Sequence, residues 1–270
     1  MLFRSGLADA ETFTRRAAEG AGLTRPELAV LLSSAKLVLQ DAIEACTLPE
    51  DPQLESHLIA LFPAPMRERF PRFLREHPLR RELVATDLAN RIVNRIGLVH
   101  AFELAEEEGV TLAQVAAAFV VVERLFDLPT LWRSLDHEPM AEAARLALFD
   151  RLGAAVGNLM SDVLRSSAGQ VDAARLIEEL QPGVDALKQA RSDLVGAETR
   201  ARAGALHSRL IEQGAPDTLA QRVANLFDLD GAVGLAKLAQ SADIEPTLLT
   251  QAFTDIGERL GLDWAQGTSA

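Results

Sequence analysis

Apolar residues recur at the spacing of helix faces along most of this 270-residue chain, and no segment alternates apolar and polar residues between turns as a strand would. The segments TRPE at 24–27 and TLAQ at 111–114 carry the capping-box pattern that begins helices. Gly97 and Gly109 stand where glycine commonly ends them. We therefore predict an all-α fold, an irregular array of about twelve helices without a sheet.

Prolines and glycines divide the periodic stretches. A basic helix is predicted to end near residue 75, and the segment HPLRRELVATDLANRIVNRIG at 77–97 is predicted to form the next one. Two separate helices are predicted at 171–180 and 182–191, because Pro182 stands at the second one's start. A last helix is predicted at 246–261, followed by an unstructured tail.

Charge is distributed unevenly between the two parts of the chain. Residues 1–100 carry 13 Lys+Arg and 13 Asp+Glu, whereas residues 101–270 carry 14 and 26, and this difference of 12 gives the net charge of −12. An acidic surface repels phosphate backbones, which argues against general nucleic-acid binding.

Cys46 is the only cysteine, so no intrachain disulfide can form, which fits a reducing compartment. The longest apolar run, at 115–122, is too short to cross a membrane.

The patterns of the common catalytic and cofactor sites are missing from the sequence. No glycine-rich phosphate loop follows a predicted strand, so we expect this chain to bind no nicotinamide cofactor itself. The five histidines never pair at i, i+3 or i, i+4, and we expect no metal site. Catalytic, cofactor-binding and metal residues are therefore all predicted to be absent.

Six arginines against two glutamates give the stretch 67–81 a local charge of +4. One interpretation is an anion or partner site. The other, which we favour, is a solvated face that pairs with acidic helices of the second half of the chain.

The segment 77–97 combines an apolar arc with four arginines, two asparagines, an aspartate and a glutamate. Three explanations are open: catalysis, nucleic-acid binding, or an internal polar seam that fixes how helices dock. Asp87 and Arg91 are at i, i+4 and should pair. Asn90 and Arg81 point towards the apolar arc, so we expect both to be buried and hydrogen-bonded to neighbouring helices. Arg91 and Arg95 are expected nearer the surface or an interface.

Several motifs resemble, in order and spacing, the C-terminal region of the large bacterial NAD-specific glutamate dehydrogenases. They are GLTRPELAVLL at 22–32, AK at 35–36, LPEDP at 48–52, FP at 62–63, MRERF at 66–70 and the segment 77–97. The resemblance continues less specifically through LAEE at 104–107, FDL at 126–128 and LGLDW at 260–264. Ser34 departs from the family, which often has an aromatic residue there.

The resemblance implies a part of a larger enzyme. In that family the catalytic lysine and aspartate and the cofactor loop lie upstream, so no catalytic residue is carried over to this chain. Lys36 matches a family motif position but is assigned a structural role, because no general base accompanies it. The parent enzyme would be cytoplasmic and would convert L-glutamate, NAD and water into 2-oxoglutarate, ammonia and NADH. NAD is thus expected in the parent enzyme only.

This region is then expected to pack against the upstream catalytic domain of the same polypeptide and to support a homo-oligomer, without contact to nucleic acid or membrane. The alternatives are an independent helical interaction module and, less favoured, a nucleic-acid binder. The expected divisions are a lead-in at 1–22, a helical subdomain at 23–136, an acidic helical subdomain at 137–265 and a tail at 266–270. The structural or interface candidates are Arg25, Lys36, Arg80, Arg81, Asp87, Asn90, Arg91, Asn94 and Arg95.

Overall fold

The computed structural model describes residues 7–97, 99–194, 197–243, 245 and 248, and over these residues it contains fourteen α-helices and no strand. The predicted all-α fold is confirmed. Two 3-10 helices, Leu48–Glu50 and Pro52–Leu54, form the proline-rich break after the second helix. The helices are α1 (Ala10–Ala18), α2 (Arg25–Glu44), α3 (Glu55–Ala60), α4 (Ala64–Arg69), α5 (Pro71–Arg75), α6 (Arg80–Ile96), α7 (His100–Glu107), α8 (Leu112–Leu125), α9 (Leu128–His137), α10 (Glu142–Ser166), α11 (Ala173–Leu194), α12 (Ala197–Glu212), α13 (Asp217–Phe227) and α14 (Ala232–Ser241).

The capping box at the start of α2 forms as predicted. Thr24 Oγ1 accepts from the Glu27 backbone N–H at 3.4 Å, and Glu27 accepts from the Thr24 backbone N–H at 2.8 Å. Glu27 also pairs with Arg16 at 2.8 Å, which ties α1 to α2. Only one of the two hydrogen bonds of the second capping box forms. The Thr111 side chain caps α8, whereas the Gln114 side chain accepts from the Val171 N–H and not from the Thr111 backbone.

Pro182 lies within a continuous helix, whereas Pro71 separates two helices. Helix α11 runs through Pro182 as one helix, so the prediction of two helices there was wrong. Leucines on both sides, including Leu180 and Leu187, are buried at helical spacing, and their packing outweighs the lost hydrogen bond. The predicted basic helix is instead two, α4 and α5, which meet at Pro71.

One contiguous cluster of buried apolar side chains extends from Leu39 to Ala239. At its centre lies α8, where every residue from Val115 to Glu123 is buried. It contacts α2, α6, α7, α9, α10 and α11. A helix surrounded in this way has to be apolar on all sides, which explains the run at 115–122. The division of the chain at residue 137 stays a prediction.

Some predicted elements fall outside the described residues: the beginning of the lead-in at 1–6, most of the helix at 246–261, and the tail at 266–270. Within the described part of the chain, no helix is both long and apolar enough to span a membrane.

Candidate functional site: the polar side chains of α6

Helix α6 presents a buried apolar face to the core, and most of its polar side chains contact different neighbouring elements. The buried face consists of Val84, Ala85, Leu88, Ala89, Ile92, Val93 and Ile96. At the C-terminal end of the helix, Gly97 adopts a φ of 99°, a conformation that disfavours a residue with a side chain. The polar contacts are therefore set by one rigid element.

At the start of α6, arginines close the end of α2. Arg81 donates to the carbonyls of Glu44 and Cys46, the latter at 2.6 Å, and pairs with Glu50. A cation at these carbonyls is favourable, because the last carbonyls of a helix lack partners and carry partial negative charge. Arg81 is hydrogen-bonded as predicted, but its side chain is 37% exposed rather than buried.

Arg80 makes a similar contact with the segment between α2 and α3. Arg80 donates to the carbonyls of Pro49 at 3.0 Å and Asp51 at 3.4 Å. Both arginines thus bind backbone oxygens of the segment that links α2 to α3.

Near the other end of α6, Lys36 on α2 donates to the Asn94 side-chain oxygen at 3.1 Å. Since Glu44 lies beside Arg81 and Lys36 beside Asn94, α2 and α6 run antiparallel. The partner of Lys36 is an amide and not a carboxylate, as suits a structural contact.

Arg91 is half-buried, with a side chain only 19% exposed, and so lies deeper than was expected. Its guanidinium pairs with Glu123 on α8, lies 2.9 Å from His57 Nδ1 on α3, and lies 3.7 Å from Asp87. The Glu123 side chain is only 3% exposed. A carboxylate on the central helix needs a cation, and the long arginine side chain reaches inwards to supply it.

Burial dominates the electrostatics of this network. It raises the pKa of both Glu123 and Asp87 above their ordinary values, although Arg91 opposes the rise. Burial, with the positive charges of Arg91 and Arg124, lowers the pKa of His57 to about 4. His57 is therefore neutral at pH 7. Because a guanidinium can only donate, His57 Nδ1 is the acceptor and Nε2 carries the proton.

Arg95 joins α6 to α9 and α10. It makes two hydrogen bonds to Asp136, at 2.8 and 2.6 Å, and lies over the rings of Trp132 and Phe149, 5.1 and 5.7 Å from their centroids. The hydrogen bonds from Arg95 lower the pKa of Asp136. Planar stacking together with a bidentate pair is a geometry that lysine could not provide.

Two candidates make no such contacts. Asn90 is half-buried, and its amide forms no hydrogen bond with a described residue, so the predicted bond is missing. The partial exposure of Asn90 leaves the amide open to solvent and removes the need for a protein partner. Arg25, at the start of α2, is exposed and likewise has no partner among the described residues.

The basic stretch is exposed at Arg67, Arg69, Arg72 and Arg75, as the favoured interpretation of a solvated face expects. The expected pairing with the acidic second half was wrong, because the pairs among the described residues are local. Arg75 binds Glu55 at 2.7 Å, and Arg72 approaches Glu76 at 3.4 Å. Helix α3 packs on α5 and so places Glu55 within reach.

Sequence reasoning missed the acidic and aromatic partners of α6: Glu123, His57, Asp136 and Trp132. A signal for Glu123 was present. It directly follows eight apolar residues, and a helix that is apolar on all sides is buried on all sides. His57 and Asp136 come from elements brought together only by the tertiary fold.

The fold and its contacts define an all-helical domain in which the polar side chains of helix α6 bind neighbouring elements. The family described as "Glutamate dehydrogenase, C-terminal" matches residues 20–269. The chain is 31% identical over 257 residues to the NAD-specific glutamate dehydrogenase of Pseudomonas aeruginosa and 30% identical over 257 residues to that of Halomonas elongata. It is 30% identical over 264 residues to the NAD-specific glutamate dehydrogenase of Mycobacterium tuberculosis.

The matches cover 94–95% of this chain but 16% of each relative. The chain belongs to the family of glutamate dehydrogenase C-terminal domains, which confirms the resemblance drawn from its motifs.

Proposed function

We propose that this chain is the C-terminal helical domain of a cytoplasmic NAD-dependent glutamate dehydrogenase. The complete polypeptide would convert L-glutamate, NAD and water into 2-oxoglutarate, ammonia and NADH. The similarity to three NAD-specific glutamate dehydrogenases supports this activity, and the 16% coverage supports a much longer parent chain. In the proposal, this region supplies no catalytic residue and binds no NAD. It packs against the upstream catalytic domain and supports assembly of a homo-oligomer.

The observation that carries the packing role is an apolar stripe on α2. Leu28, Leu32, Leu39 and Ile43 lie within about 60° of one another around the helix axis, at 100° per residue. Leu39 and Ile43 are fully buried against the core, whereas Leu28 is 45% and Leu32 38% exposed. The same face is therefore covered in the second half of α2 and uncovered in the first half.

The surroundings of the uncovered half suit a contact with upstream chain. Helix α1 precedes α2, has no buried residue, and is held beside it by the pair of Arg16 with Glu27. An upstream domain would thus join the chain near the N-terminal end of α2, the end at which Leu28 and Leu32 are exposed. Burying the two leucines there would stabilise the contact through the hydrophobic effect.

The proposal is tested by expressing the upstream part of the polypeptide and this chain separately and measuring their association. The double substitution Leu28→Glu/Leu32→Glu should weaken association roughly tenfold or more, since each leucine loses burial and each glutamate would need desolvation. The matched control is Leu146→Glu, because Leu146 on α10 is 61% exposed and lies off the stripe. Equal binding by the double variant and the unaltered chain would contradict the proposed packing face.

A further inference from the structure

A cavity of about 300 Å³ lies where α8 and α9 face α3 and the 3-10 helix before it. Its polar lining is Gln53, Ser56, His57, Glu123, Arg124 and Arg133. The cavity adjoins the network of Arg91 but is not filled by it. What it could bind follows from the hydrogen-bonding groups that the protein leaves unused around it.

Several donors of the lining have no partner among the described residues, and three of them belong to Arg124, Arg133 and His57. The side chains of Arg124 and Arg133 are exposed and form neither a hydrogen bond nor an ion pair there. The Nδ1 atom of His57 accepts a hydrogen bond from Arg91, which leaves the Nε2–H of His57 free to donate. Two guanidinium groups and one imidazole N–H on the same cavity favour an anion with several oxygens.

One acceptor of the lining is also unused. Arg91 binds Glu123 Oε2, whereas Glu123 Oε1 is buried without any hydrogen-bond partner. An unsatisfied buried acceptor is unfavourable, so a ligand that offers a hydrogen-bond donor at this atom would be stabilised. An anion without hydrogen would instead face the carboxylate as a repelling neighbour.

We propose that this cavity binds a phosphate group that still carries a proton, either inorganic phosphate or a phosphate monoester. Arg124 and Arg133 bind its unprotonated oxygens, and the His57 Nε2–H donates to a third oxygen. Glu123 Oε1 accepts the hydrogen of the P–OH group. Sulfate has the same shape but no hydrogen at neutral pH, so the carboxylate selects against it. This inference concerns a binding site and does not depend on the proposed packing role.

The test is calorimetric titration of the 270-residue chain with sodium phosphate and, at equal ionic strength, with sodium sulfate. Phosphate should bind saturably and at least about tenfold more tightly than sulfate, the ratio expected for about 1.4 kcal/mol. Glycerol 3-phosphate, titrated near pH 6 where a monoester is still partly protonated, distinguishes the sources. Binding of inorganic phosphate shows that the phosphate group suffices, and binding of the monoester alone shows that its organic part is needed.

Variants locate the site. Arg124→Ala and Arg133→Ala should each weaken phosphate binding about tenfold or more, whereas Arg67→Ala, an exposed arginine outside the cavity, should leave it unchanged. Glu123→Gln should abolish the preference over sulfate, because an amide can donate to an unprotonated oxygen.

Three results would overturn the inference. They are absence of saturable binding by either phosphate, sulfate binding as tight as phosphate binding, and equal losses in Arg67→Ala and Arg124→Ala. Arg124 and Arg133 are exposed at the surface, so their substitution should not prevent folding. These two variants therefore test the site even if Glu123→Gln fails to fold.

Discussion

Replacing Arg91 by methionine should destabilise the domain through the charge that it leaves behind. Arg91 is 19% exposed and its partner Glu123 only 3% exposed, so the substitution strands a carboxylate in the interior. Removing one partner of a buried ion pair costs about 3–5 kcal/mol. Because the Arg91 side chain keeps some contact with solvent, we expect a loss of about 3 kcal/mol in the free energy of unfolding.

The double variant Arg91→Met/Glu123→Leu separates the charge from the packing. Removing both charges and keeping apolar volume is often neutral or stabilising by about 1–4 kcal/mol relative to the ion pair. We therefore expect the double variant to recover most of the stability that the single variant loses. Urea denaturation of the wild type and both variants, followed by circular dichroism, gives the three free energies.

The pH dependence supplies a second readout. Without Arg91, burial and the charge of Asp87 hold the pKa of Glu123 still further above the ordinary value, and only Arg95 opposes them. A carboxyl with a raised folded-state pKa contributes stability at low pH and loses that contribution as pH rises through the folded-state value. The deficit of Arg91→Met against wild type should thus shrink between about pH 7 and pH 4. A deficit that is independent of pH and persists in the double variant would refute the reasoning.

Three further predictions use the same denaturation assay. Gly157→Ala should cost about 1–3 kcal/mol, because its Cβ would lie 2.1 Å from His100 Nε2, whereas the control Gly204→Ala has nothing within 4 Å and should not destabilise. Asp162→Ala should cost about 1 kcal/mol, since the backbone N–H groups of Gly231 and Gly234 at the start of α14 lie close enough to the Asp162 carboxylate to lower its pKa against the effect of burial. His57 has a pKa of about 4 instead of 6.5, so its neutral form stabilises the fold above the ordinary pKa and that contribution falls away towards pH 4. His57→Gln should therefore lose less stability on acidification than the wild type.

Helices could be predicted from the sequence where local chemistry decides them. The capping box at Thr24 and the terminating Gly97 act within a few residues, and both formed as expected. The course of the chain at Pro182 could not be predicted, because there tertiary packing outweighed a local break. A local sequence pattern does not show which residues tertiary packing will bury.

The polar contacts of α6 were predictable only in part. A helical wheel predicts the direction in which each side chain leaves the helix. It therefore correctly predicted the apolar face of α6 and the pairing of Asp87 with Arg91. It wrongly placed the Arg91 guanidinium near the surface, because a long side chain ends far from the direction of its Cα. The partners Glu123 and His57 lie 32 and 34 residues away in sequence, and only the packing of α3 and α8 brings them together.

Glutamate-dependent NADH formation tests whether this chain is a non-catalytic part of a glutamate dehydrogenase. It is measured with the 270-residue chain alone, with the upstream part of the polypeptide alone, and with the two combined. We expect no NADH from this chain, and NADH from the combined sample in a complex that contains both parts. Turnover by this chain alone, or full activity of an upstream part that never associates with it, would contradict the proposed function.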